Sequence, residues 1–219
     1  MRPRTQAIRR PLGQVFAAPS HLAVCRALLD TAEGVSGRQV AREARINHQT
    51  CAVALGRLEE LGIVRRQGSG QTQLFRLNRE NVLVRDLLIP LLRKEREVFP
   101  RIVRRVGELV AGRCLRALVF GSVARGEERR DSDLDLLLIA DGPRGQAATR
   151  RAADDARAAL AGEWGLRVNS IVLTQRALER RRERKDPLII NILMEGIEVW
   201  PRGQEPGRRI AATRTKTTG

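Results

Sequence analysis

Two hydrophobic strands that meet at a polar junction constrain this chain more than any other feature. Leu115 to Phe120 is apolar and runs into Gly121-Ser122. A charged loop follows, and then Asp133-Leu134-Asp135 opens a second apolar run that extends to Ala140. Along a strand, residues i and i+2 point to the same face. Asp133 and Asp135 therefore project together, while Leu134 and Leu136 point into a core. Adjacent carboxylates repel each other unless a cation lies between them. Oxygen pairs of this type suit Mg²⁺, which keeps several waters and takes further ligands from phosphates. The turn from strand to helix at Gly121-Ser122 supplies free backbone N–H groups and a helix dipole, both favourable to phosphate. Gly121 allows close approach of the backbone, and Ser122 adds a hydroxyl. Alone, the acidic pair reads equally well as a charged turn ending on a buried strand. Paired with Gly-Ser, it reads as a nucleotide–metal site.

The segment from 113 to 200 alternates strand and helix. A helix is expected over Arg144–Ala161, with Ala152, Ala156, Ala159 and Leu160 on its packed face. Gly-Ser, a loop containing Arg-Gly, and Ser-Asp-x-Asp resemble the DNA polymerase β nucleotidyltransferase superfamily, and in particular its minimal branch. "DPLIINILMEGIEVW", Asp186 to Trp200, resembles the closing helix and strand of that branch. The resemblance covers residues 112–200. It implies that Gly121 and Ser122 hold the triphosphate of an NTP, with help from Arg125. It also implies that Asp133 and Asp135 are the catalytic, metal-binding carboxylates, with Mg²⁺ or Mn²⁺ as cofactor. Such enzymes add a nucleotidyl group to a hydroxyl. Active members carry a third carboxylate on a later strand, here Gly165 to Thr174. That position falls near Asn169 or Ser170, and neither is acidic. The resemblance thus leaves open whether the chain is an enzyme or a catalytically impaired nucleotide sensor.

The N-terminal part has a different grammar. Ser36 is an N-cap candidate, and Val40, Ala41 and Ala44 give a short helix its apolar side. Asn47 caps the next helix, on which Cys51, Leu55, Leu58 and Leu61 form one stripe. Gly62 ends it. Ile63–Arg66 and Gln73–Leu77 read as two strands around the turn Gln67-Gly68-Ser69-Gly70. "LEELGIV" from Leu58, followed by a basic hairpin, resembles the winged helix-turn-helix of bacterial repressors over residues 20–78. That resemblance implies binding to double-stranded DNA. Asn47, His48, Gln49 and Thr50 would face base edges, and Arg57, Arg65, Arg66 and Arg76 would meet phosphates. A winged helix used only for protein contacts is the alternative.

The net charge of +16 over 219 residues suits a polyanionic partner. It is carried almost wholly by arginine, which a GC-rich genome also produces. The three scattered cysteines and two histidines lack zinc spacing. No apolar run reaches membrane-helix length, and no signal-type stretch follows the basic start. The protein reads as cytoplasmic. Trp164 and Trp200 are too isolated for a base-stacking platform.

The expected organisation is α+β. It comprises a basic arm (1–18), a winged helix-turn-helix (19–78), a helical linker (79–112), a minimal nucleotidyltransferase domain with a small mixed sheet (113–200) and a basic tail (201–219). Pro90 and Pro100 are expected to kink or break the linker. Homodimerisation through helix 21–30 or the "VLVRDLLIPLL" segment is one expectation. A partner protein in a toxin–antitoxin-type module is another, implied by the resemblance.

Overall fold

A computed structural model describes residues 11–68, 73–129 and 131–201. The arm through Arg10, the turn residues Ser69 and Gly70, and the tail beyond Pro201 lie outside the described residues. The chain divides into two compact units, Met1–Arg96 and Glu97–Gly219.

The first unit runs α1 (Leu12–Val15), α2 (Pro19–Leu28), β1 (Val35–Ser36), α3 (Gly37–Glu43), α4 (His48–Glu60), β2 (Val64–Gln67) and β3 (Leu74–Leu77). A π-helix (Leu83–Leu88) and α5 (Ile89–Arg96) close it. Local chemistry sets the boundaries. The Ser36 hydroxyl accepts the Gln39 N–H, and the Asn47 side-chain Oδ1 accepts the Thr50 N–H at 2.7 Å. Each satisfies a donor that the first helical turn leaves orphaned. Gly62, at φ +69°, lets the chain leave α4 in the left-handed conformation. The three strands lie in the order β1-β3-β2, all antiparallel. Cys51, Leu55 and Leu58 are buried in the core with Val24, Leu28 and Phe75, whereas Leu61 is half-buried at its margin.

Two expectations change here. Residues 12–15, read as part of the basic arm, form a helical turn that buries Val15 in the first core. The stretch read as a linker has no core of its own. Val84, Leu88, Ile89 and Leu92 belong to the first core, and Ile102, Val103, Val106 and Val110 belong to the second. Pro90 sits inside α5 just after the π-helix, a local change of hydrogen-bond spacing that accommodates a missing N–H. Pro100 falls in the first turn of the next helix, where an N–H has no intrahelical partner anyway.

The second unit runs α6 (Val98–Val110), β4 (Arg116–Phe120), α7 (Gly121–Arg125), β5 (Leu134–Ala140), α8 (Gly142–Trp164), β6 (Val168–Thr174), α9 (Gln175–Glu183), α10 (Pro187–Glu195) and β7 (Ile197–Trp200). Its sheet is mixed, in the order β6-β5-β4-β7. β5 pairs parallel with β6, and β4 pairs antiparallel with β5 and β7.

Strand β5 is central, and every residue from Leu136 to Ala140 is fully buried. Burial on both sides follows from the helices. Leu134, Leu136 and Leu138 join Val106, Ala152, Ala156 and Leu160 in one core. Leu137 and Ile139 join Leu118, Leu173, Leu178, Ile189 and Ile192 in another. By strand alternation, Asp133 and Asp135 share the second of these faces. They lie at the start of that face, ahead of Leu137 and Ile139. Among the described residues, no helix is long and apolar enough to cross a membrane.

Candidate functional site

The geometry of the second unit begins with register. Phe120 pairs with Asp135, so the end of β4 lies beside the start of β5. The chain then turns at Gly121, where φ is +76°. A Cβ at that position would stand 2.5 Å from Asp135 Oδ2. Both backbone conformation and space therefore require glycine there. Ser122, half-buried, follows in α7, the short helix that Gly126 ends.

On the other side of β5, Asp135 pairs with Asn169 of β6. The two candidate positions on this strand now separate. Asn169 shares the face of Asp133 and Asp135, and its Nδ2 donates to Asp133 Oδ2 at 2.9 Å. Ser170 points to the opposite face, where its hydroxyl accepts from the Arg157 guanidinium of α8 at 3.3 Å. Among the described residues, no group of three or more His, Cys, Asp or Glu side chains is placed to hold a metal ion.

Burial raises the Asp135 carboxyl above its ordinary value; the Asn169 amide pulls it partly back, and the charge of Asp133 adds to the rise. Asp133 has a cationic neighbour. Arg167 Nε lies 2.7 Å from Asp133 Oδ1, and its Nη2 donates to the Asp131 carbonyl at 2.6 Å. The Nε contact is an ion pair out of hydrogen-bond alignment, because Oδ1 is shielded from water and accepts no hydrogen bond. Sequence reasoning missed Arg167. The signal was available: it stands two residues before Asn169 in the approach to a strand, and so on the same face.

The donor set fits a hard divalent cation. Two carboxylates share a face, one destabilised in its charged form by burial and by its neighbour, the other with a desolvated oxygen that lacks a hydrogen bond. Arg125, expected at the phosphates, is engaged elsewhere. Its Nε donates to Glu127 at 2.7 Å and its Nη1 to Glu195 at 3.2 Å. The two carboxylates raise the Arg125 pKa further. A phosphate would have to displace them.

In the first unit, His48 and Gln49 are exposed at the start of α4, and Thr50 is half-buried. The Asn47 side-chain oxygen is spent on capping, which leaves its amide nitrogen for other contacts. A groove of about 670 Å³ runs between α4 and the hairpin, lined by Arg38, His48, Glu59, Arg66 and Phe75 among others. The arginines expected to meet phosphates are mostly paired. Arg57 meets Glu60 at 2.8 Å, Arg65 meets Glu80 at 2.7 Å, and Arg66 meets Glu59 at 3.1 Å. Arg76 is half-buried, and its Nε is shielded without a hydrogen-bond partner.

The three cysteines are free thiols. Cys25 and Cys51 are buried and Cys114 is half-buried. Burial pushes the Cys25 thiol up to about 12 and the Cys114 thiol up to about 11. Trp200 donates its indole N–H to the Cys114 carbonyl at 3.2 Å. Arg101 stacks over Trp164, 5.3 Å from the ring centre. Both tryptophans thus serve packing in the second unit.

Searches of curated proteins and of solved structures give no match. The segment that builds the Gly121–Asp135–Asn169 junction, residues 100–199, matches the family model of the nucleotidyltransferase domain.

Proposed function

We propose that the second unit transfers a nucleotidyl group from an NTP to a hydroxyl acceptor, with Mg²⁺ or Mn²⁺ held by Asp133 and Asp135. The observation that carries this reading is the Asp135 carboxylate set against the Gly121 turn, with Asp133 two residues earlier, within the segment that matches the nucleotidyltransferase model. When bound, the metal neutralises the phosphates and acidifies the attacking hydroxyl.

The chain supplies the rest. Gly121 leaves the space that the Asp135 carboxylate occupies, and its turn is where a phosphate would approach the backbone. Ser122 offers a hydroxyl donor. Asn169 fixes the Asp133 carboxylate through Oδ2, leaving Oδ1 toward the cation. Asn169 has no basic group, so the two aspartates are the proton acceptors on this face. Incubation with α-labelled NTPs, Mg²⁺ and candidate RNA, protein or small-molecule acceptors tests the reading. Label transfer that depends on Asp133 and Asp135 supports it, and transfer that survives their joint replacement by alanine refutes it.

The first unit we read as a winged helix-turn-helix that binds double-stranded DNA and autoregulates its own operon, as a dimer or with a partner protein. Its support is the order helix, strand, helix, helix, hairpin, with polar exposed residues at the start of α4. Specific binding to an operator with a steep salt dependence is the expected result. Equally weak binding to every duplex contradicts it.

A second reading rests on Asn169. An amide stands at the register position beside Asp135, and Arg167 already neutralises Asp133. On that reading the domain binds NTP as a sensor or assembles the protein, without turnover. Nucleotide binding in the absence of label transfer with every acceptor favours it.

A further inference from the structure

The strongest unassigned feature is the position of Arg167. Its guanidinium spans two groups of the acidic loop. Nε faces Asp133 Oδ1 at 2.7 Å, and Nη2 holds the Asp131 carbonyl at 2.6 Å. The side chain is 70% exposed, against 29% for Asp133. The arginine can therefore leave into water at little cost, whereas the carboxylate cannot be rehydrated as easily. Asp133 Oδ1 is also the oxygen without a hydrogen bond. A cation arriving at this oxygen meets a poorly solvated acceptor whose ion-pair partner among the described residues is loosely held.

We infer that Arg167 is a positioning residue that exchanges partners, from Asp133 in the metal-free site to the triphosphate when metal and nucleotide bind. The inference rests on the nucleotide–metal reading of this site. A metal held by Asp133 would bring the phosphate it neutralises to within a few ångströms of that carboxylate. That is the neighbourhood Arg167 already occupies. The planar guanidinium matches phosphate in a bidentate manner, and its hold on the Asp131 carbonyl keeps the fork at the mouth of the site while Nε changes partner. One side chain thus neutralises Asp133 when no metal is bound and draws the nucleotide when metal takes its place.

The exchange makes two binding constants move in opposite directions, which a merely structural role cannot do. The experiment uses the full chain as wild type, Arg167→Gln, Arg167→Lys and the double variant Asp133→Asn with Asp135→Asn. Binding of Mn²⁺ alone is measured by electron paramagnetic resonance, and binding of a non-hydrolysable NTP analogue with Mn²⁺ by calorimetry. Thermal melts verify that each variant is folded. Arg167→Gln is expected to bind Mn²⁺ alone about fivefold tighter, the scale of an exposed ion pair. It is expected to bind the analogue about tenfold weaker, the scale of a lost charge-assisted contact. Arg167→Lys falls between the two in both assays. If both constants move the same way in Arg167→Gln, or neither moves, the exchange is wrong and Arg167 only braces the loop. If the double aspartate variant binds Mn²⁺ and analogue as wild type does, the site reading itself fails, whatever Arg167 does. If wild type binds neither probe, reading and inference fall together.

Discussion

The chain carries two charged regions of opposite sense, and each is neutralised by its own side chains. On the first unit, Arg57, Arg65 and Arg66 lie against Glu60, Glu80 and Glu59. In the second, Asp133 lies against Arg167. The difference is burial. The arginine–glutamate pairs sit in water, where an ion pair contributes about 0–1 kcal/mol, so a phosphate can take the place of the carboxylate at small cost. Asp133 and Asp135 head a face that is otherwise sealed by Leu137, Ile139, Leu173 and Ile189. There water screens the charges only in part, and burial is the largest cause that raises Asp135. Net charge alone points to the arginines as the functional feature. The structure adds the small acidic region, where burial raises Asp135 and Asp133 Oδ1 accepts no hydrogen bond.

The comparison can be broken most directly at the acidic end. Replacing Asp133 and Asp135 together by alanine is expected to lower nucleotidyl transfer by on the order of 10³-fold or more, read as label transfer from an α-labelled NTP. Wild-type turnover in this variant would mean that the chemistry lies elsewhere.

Sharpening it requires the missing charge. Asn169→Asp places a third carboxylate on the same face, opposite Asp135. Metal affinity is expected to rise about tenfold, on the order of 1.4 kcal/mol, as measured by Mn²⁺ titration. The metal-free form should melt lower, since another like charge joins the pair.

At the basic end the effects are smaller. Arg65→Ala with Arg66→Ala is expected to weaken DNA binding several-fold and to flatten its logarithmic salt dependence by about 2 units, roughly one per phosphate contact. Filter binding across a salt series measures both. The converse substitution, Glu59→Gln with Glu80→Gln, frees the same arginines and is expected to tighten binding about twofold to fivefold. Unchanged binding in both pairs would show that this surface does not meet DNA.

The smallest effect is in pH. Asp135 has its folded-state pKa raised, so between the ordinary carboxylate range and that raised value the native state holds more protons than the unfolded chain. Stability of the metal-free protein is therefore present at low pH and falls as pH rises through that window. Melts of wild type and Asp135→Asn without metal should differ in slope there, with the variant flatter. Metal binding runs the other way and strengthens as Asp135 ionises.

Much of the fold was legible because it is local. Leu134 and Leu136 alternate with Asp133 and Asp135, and period two alone gives the buried and exposed faces. Ser36, Asn47 and Gly62 mark helix ends through short-range chemistry. The parallel pairing of β5 with β6 was not legible, and it is what decides between Asn169 and Ser170 as the residue beside Asp135. The ion pairs were equally hidden. Arg125 reaches Glu195 across 70 residues, and Arg65 reaches Glu80 across 15. A sequence shows which side chains can pair, and only packing shows which do. The segment 79–112, read as a helical linker kinked or broken at Pro90 and Pro100, hid its packing for a related reason: its leucines and valines divide between two cores.

The most direct measurement is a structure of the full chain with Mg²⁺ and a non-hydrolysable NTP analogue. The account predicts metal bound to Asp133 and Asp135, phosphates at Gly121 and Ser122, and Arg167 turned from Asp133 to the phosphates. Asp133 still paired with Arg167 under saturating metal and nucleotide, with the nucleotide absent or bound elsewhere, would contradict it.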